Sequence, residues 1–144
     1  MKANELRVGS LFYPINRSGE VHLPIEMAFK VLTIGFKIEA IPYDKIPAQV
    51  EKWEEFNTND LSEITLTKEW LLKFGFIKDD EYDKCYNKIL ENGFYLCGIG
   101  FGVNNEKYDV FLTDSNNNEL TIVKYVHQLQ NLYFALTGKE LELN

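Results

Sequence analysis

No apolar run in this chain approaches the ~20 residues that a bilayer-spanning helix requires, and no basic, apolar, small-residue signal stands at its start. Those absences predict a soluble, cytoplasmic protein with no membrane association. Lys and Arg form no cluster, and the formal net charge is −7. Nonspecific DNA or RNA binding rests on cationic side chains neutralising phosphates, so nucleic acid is disfavoured as a partner. Only two cysteines, Cys85 and Cys97, are present, too few for a disulfide framework. Internal repeats and low-complexity tracts are absent.

Short-spaced chemistry is missing too. The two histidines, His22 and His127, and the two cysteines include no C-x2-C or H-x3-H pair of the kind that structural zinc sites show. Ser10, Ser18, Ser62 and Ser115 all lie in turn-like contexts, and none sits in a G-x-S-x-G elbow. Gly98, Gly100 and Gly102 alternate within a strand-like run, whereas a phosphate loop needs glycines leading into a helix. Glu51, Glu54 and Glu55 read as the wet face of a short helix. The acidic run Asp79, Asp80, Glu81 and Asp83 reads as a solvated loop, with nucleic-acid mimicry as the sharper alternative. No catalytic, cofactor-binding or metal residue is assigned.

What is present is apolar and aromatic. Hydrophobic residues make up 45% of the 144, and ten Phe and eight Tyr lead the aromatics. That suffices for one globular domain, or two small closely packed subdomains, with a real core. Some of the aromatics would anchor a partner surface if they are not all core. The fold class predicted is α+β, with antiparallel strands and hairpins packed with two or three short helices. Residues 1–60 form a β-rich part, with an SH3-like barrel as its candidate architecture, and residues 61–144 form a helix–hairpins–helix part.

In the first part, Leu11-Phe12-Tyr13 reads as a strand broken by Pro14, with a turn at Arg17-Ser18-Gly19. The alternation from Phe29 to Ala40, with Ile34, Phe36, Ile38 and Ala40 on one side, predicts one strand with a buried face. Gly35 would bend it or mark a bulge. Pro47 can open a helix, and Val50, Trp53 and Phe56 then share a side, predicting a helix near Pro47–Phe56. The polar stretch Asn57–Asp60 is the candidate boundary.

The second part is better punctuated. Thr67 predicts an N-cap, Leu66 and Leu71 a hydrophobic staple, and Glu69 suits the helix dipole. Trp70, Leu71 and Phe74 form the apolar face, and Gly75 stops the helix. Between Asp80 and Leu90 both a helix and a strand fit, but Asn92-Gly93 between apolar runs favours strands from about Lys88 to Phe101. With Asn92-Gly93 as a two-residue turn, Cys97 lies opposite Lys88 and Cys85 points to the other face, which excludes a bridge. A second hairpin joins Tyr108–Thr113 to Glu119–Lys124. Val126, Leu129, Tyr133 and Leu136 then fall on one face of a closing helix over Tyr125–Thr137, stopped at Gly138. Leu132 widens that face, Gln128, Gln130 and Asn131 populate the rest, and His127 has a packing role.

Three stretches also carry a resemblance: ELRVGSLFY at Glu5–Tyr13, ITLTKEWLLKFGF at Ile64–Phe76 and VKYVHQLQNLYFALTGKELEL at Val123–Leu143. In this order they resemble a family of small proteins encoded by Bacteroides-group bacteria and their phages. Val8 and Ser10 depart from the family's usual opening. The resemblance implies a phage or mobile-element protein and supplies no catalytic residues. Together with the missing chemistry, it leads to the expectation of a binder of another protein, as in counter-defence. The alternatives are an enzyme on a small molecule and a virion or assembly component, with oligomeric state left open.

Overall fold

Every ladder among the described residues is antiparallel, and each is confined to one of two five-stranded sheets. The computed structural model describes residues 5–14, 28–34, 37–45 and 47–144. Contacts divide the chain into Met1–Ile64 and Thr65–Asn144. The α+β class, strand-dominated with short helices, is what the sequence predicts.

In the first unit, β1 (Leu11–Pro14), β2 (Phe29–Ile34), β3 (Ile38–Pro42), β4 (Glu54–Phe56) and β5 (Leu61–Ser62) lie in the order β4-β3-β2-β1-β5. Leu6, Phe12, Val31, Ile38, Ala40 and Leu61 form its core, with Phe29 and Phe56 packed against it. Phe56 meets Phe12 and Phe29 edge-on at 5.3 Å between centroids, a favoured arrangement of ring quadrupoles. Nothing among the described residues establishes an SH3-like closure, and no ladder joins β4 to β5 there.

Two local expectations are corrected. The single strand over Phe29–Ala40 is two, because Ile34 pairs with Ile38 and β2 runs back along β3. Ile34, expected on the buried side, is 44% exposed while Val31 is buried, because the register shifts between Val31 and Thr33 and the buried positions of the two arms differ in parity. Gly35, Phe36 and the turn expected at residues 17–19 lie outside the described residues. The helix near Pro47–Phe56 is a single 3-10 turn, Pro47–Gln49, followed by β4, which pairs with β3. There Phe56 reaches the core while Trp53 stays 37% exposed, so the helical stripe does not form.

The second unit is a meander capped by helices. It comprises α1 (Lys68–Lys73), β6 (Ile77–Lys78), β7 (Cys85–Ile89), β8 (Tyr95–Phe101), β9 (Lys107–Thr113), β10 (Glu119–Val123) and α2 (Val126–Thr137), with sheet order β10-β9-β8-β7-β6. Strand β7 resolves the helix-or-strand alternative for its residues. Before α1, Leu66 donates to the Lys124 carbonyl at 3.1 Å and accepts from Tyr108 N–H at 2.9 Å, tying the segment to the sheet. Thr67 holds the N-cap position with extended backbone, but its hydroxyl makes no capping bond. Helix α1 closes with a Schellman pair, Phe76 N–H to Leu71 O and Gly75 N–H to Leu72 O, both 3.0 Å, with Gly75 at φ +76°.

One sheet face is core. Tyr86, Gly98, Val110 and Val123 lie in one cross-strand row, and Leu96 opposite Leu112 in the next; all are buried. A Cβ on Gly98 would stand 2.7 Å from Leu71 Cδ1, so the glycine is what lets α1 approach β8. Helix α2 buries Val126, His127, Leu129 and Gln130, and Gly138 ends it at φ +68°. Burial of Gln130 corrects its placement among the outward residues.

Candidate functional site

The opposite face of the second sheet is the site. Its strands alternate, so β8 sends Leu96, Gly98 and Gly100 inward and Cys97, Ile99 and Phe101 outward. Register then assembles one outer row from all five strands: Ile77, Asn87, Cys97, Phe111 and Ile122. Beside it run Cys85, Ile99 and Asp109 on one flank, and Ile89 with Tyr95 on the other. Ile77 is 75% exposed and Ile89 85%, and Ile99, Phe101 and Ile122 are exposed as well. Scattered single exposed apolar residues need no explanation, but a shared face of them does.

A recess of about 420 Å³ opens in this face, walled by Asp79, Tyr82, Lys84, Cys85, Asn87, Tyr95, Cys97 and Ile99. The acidic run forms its lip. Asp79 Oδ1 accepts from the backbone N–H groups of Glu81 and Tyr82 at 2.9 and 3.1 Å, and Oδ2 accepts from Asn87 Nδ2 at 2.8 Å. Asp79 therefore shapes a turn, while Asp83 meets Lys78 at 3.0 Å in solvent. The Asp83 carboxylate, by accepting that bond and by its charge, raises the Lys78 pKa. Asp80, Glu81 and Tyr82 remain exposed.

The cysteines stand on one face of the sheet, contrary to the sequence reading. Ile89 pairs with Tyr95 and Asn87 with Cys97, so three residues, Glu91-Asn92-Gly93, make the loop, with Leu90 N–H bonded to Phe94 O at 2.9 Å. Gly93 takes φ +83°, the left-handed position of a three-residue hairpin. One residue more in the loop shifts the register by one and turns the opposing side chain to the other face. Cys85 and Cys97 become diagonal neighbours with sulfurs 3.0 Å apart, and Cys85 Sγ lies 3.5 Å from Asn87 Oδ1. Burial first, then the Cys85 hydrogen bond, pushes the Cys97 thiol up to about 12.

Other sequence candidates are accounted for structurally. His127 is fully buried and stacks on Tyr125 at 6.0 Å, and His22 lies outside the described residues. Ser10 is buried, its hydroxyl accepting from Arg7 N–H at 3.1 Å. Glu55 pairs with Lys37 at 2.8 Å, and Glu51 and Glu54 are exposed. Gly98 and Gly100 lie in β8, leading into no helix that could hold phosphate. A second recess of about 260 Å³ includes Lys88, Tyr133 and Lys139. Lys88 donates to Phe74 O at 2.9 Å and lies 5.8 Å from the Tyr133 ring centroid. Burial lowers its pKa, and its role is to satisfy a carbonyl at the end of α1.

Among the described residues, no group of three or more His, Cys, Asp or Glu is placed to hold a metal. No helix there is long and apolar enough to cross a membrane. The outer face was invisible in the sequence because its members come from five strands and only register aligns them. No protein-family model, curated protein or solved structure matches the chain.

Proposed function

We propose that this protein acts in the cytoplasm by binding another protein through the outer face of the β6–β10 sheet, the partner presenting an apolar patch rimmed by basic side chains. The observation that carries this reading is the exposed row on that face, above all Ile77 and Ile89. Complete burial of one such side chain contributes about 1.5–3 kcal/mol, so a few suffice to anchor an interface. Charge gives the rim its sign. Asp80, Glu81 and Asp83 surround the exposed Tyr82, and the chain as a whole carries −7, which favours a basic partner. The resemblance to phage-encoded proteins supports a host protein as the partner, as in counter-defence.

The test is affinity capture from host lysate with wild type and an Ile77→Asp/Ile89→Asp double variant, read by mass spectrometry and by the unfolding midpoint. A partner held by wild type, lost by the variant and rebound by purified components supports the face. Equal capture by a variant of unchanged midpoint would sink it.

A further inference from the structure

Beyond partner binding, we propose that Cys85 and Cys97 form a thiol–disulfide exchange site that a low-molecular-weight disulfide closes into an intramolecular bridge. The chain holds only these two cysteines. The hairpin register puts both on the outer face of neighbouring strands β7 and β8, with their sulfurs 3.0 Å apart. Both are half-buried and line the 420 Å³ recess, so a small reagent can reach them. Lys84, at the same wall, offers a cation to a carboxylate-bearing reagent such as glutathione disulfide. A pair serving only as core would stand on the covered face with Leu96 and Val110. This pair does not.

The chemistry balances in two exchanges. Cys85 releases its proton to solvent, and its sulfur attacks one sulfur of the reagent disulfide. A Cys85–reagent S–S bond forms, the reagent's own S–S bond breaks, and the departing thiolate takes up a proton. Cys97 then loses its proton and attacks Cys85 Sγ, forming the Cys85–Cys97 bond and expelling the second reagent thiol. The protein dithiol is oxidised by two electrons, and the reagent is reduced to two thiols. Cys85 enters first because it stands at the start of β7, beside the exposed residues 80–84, whereas Cys97 lies within the central strand β8, where burial pushes its thiol up. Part of that rise comes from Cys85 itself, so capture of Cys85 eases the second step. Diagonal neighbours in a regular ladder stand about 7–8 Å apart at Cα, beyond the usual bridging range of about 4.4–6.8 Å, so closure has to draw β7 and β8 together at this point. The bridge is therefore of the strained kind that excess reduced thiol reopens.

The test incubates the folded protein with glutathione disulfide at mildly alkaline pH, blocks remaining thiols with N-ethylmaleimide, and reads intact mass with and without reductant. The expected product is a monomer lighter by two hydrogens, carrying neither maleimide nor glutathione, and returned to two maleimide additions by reduced glutathione. Cys97→Ser should stop at a stable mixed disulfide on Cys85, and closure in wild type should accelerate as pH rises. Two retained free thiols, a glutathione on each cysteine, or a disulfide-linked dimer would each overturn the proposal.

Discussion

Thr67 occupies an N-cap yet leaves its hydroxyl out of the cap, which separates position from interaction. The sequence places the residue correctly because a Thr before a helical apolar pattern marks the boundary, but whether the hydroxyl bonds depends on its rotamer. Thr67→Ala should therefore shift stability by less than about 0.5 kcal/mol, as at ordinary surface sites, and not by the ~1 kcal/mol of a lost cap. Chemical denaturation measures the difference directly. Gly98 behaves oppositely. Leu71 and Leu96 beside it are fully buried, so the Leu71 methyl that an alanine would strike has nowhere to swing. Gly98→Ala should cost about 1–3 kcal/mol through overpacking, and Leu71→Val in the same chain should restore part of it. Asp114 is a third case. Its carboxylate accepts from Asn118 backbone N–H and side-chain amide at 2.9 and 3.1 Å and from Asn116 N–H at 2.9 Å. These bonds, the Asn118 backbone first, hold its pKa below the ordinary aspartate value. A depressed folded pKa means the stabilisation is complete above the ordinary value and is lost as pH falls through the depressed one. Asp114→Ala should lower the thermal midpoint at neutral pH, and the two melting curves should converge in acid. A constant offset across pH would show that the carboxylate charge is not the cause.

At the scale of elements, legibility followed the strength of local punctuation. Helix α2 was readable to within a residue because Gly138 stops it with a left-handed turn, its N–H bonded to Phe134 O at 2.8 Å. Strands β9 and β10 were readable because a run of Asp, Ser and Asn separates two apolar segments. The failures share a cause. The reversal between β2 and β3 and the length of the Glu91–Gly93 loop are non-local facts, fixed by which strands pair, and a one-residue error changes every face. That error hid the thiol pair and the apolar face together. Within α2 the stripe was nearly right: Val126 and Leu129 are fully buried while Tyr133 and Leu136 are half-buried, and Gln130 joins the core side. Leu129 is therefore packing and not an interface. Leu129→Ala should destabilise by about 2–5 kcal/mol, as large-to-small changes in cores do. An unaltered thermal midpoint would show that Leu129 is not core packing.

Taken whole, the molecule sets an acidic surface against one apolar sheet face, and the two make different demands on a partner. If the acidic lip of Asp80, Glu81 and Asp83 imitated nucleic acid, binding would be mostly electrostatic and would fall steeply with salt. If the outer face of the β6–β10 sheet carries the affinity, charge only steers the encounter, and salt slows association more than it weakens the complex. The exposures of Ile77 and Ile89 favour the second, because apolar burial is insensitive to screening and is strengthened by salting-out anions. Raising sodium chloride to roughly 1 M shortens the screening length to about 3 Å. The captured partner should then remain bound, with a slower on-rate and little change in off-rate. The Ile77→Asp/Ile89→Asp variant should fail at every salt concentration, whereas neutralising Asp80 and Glu81 to Asn and Gln should slow association only at low salt. Release of the partner from wild type by salt alone would transfer the affinity to the acidic lip, and with it the function.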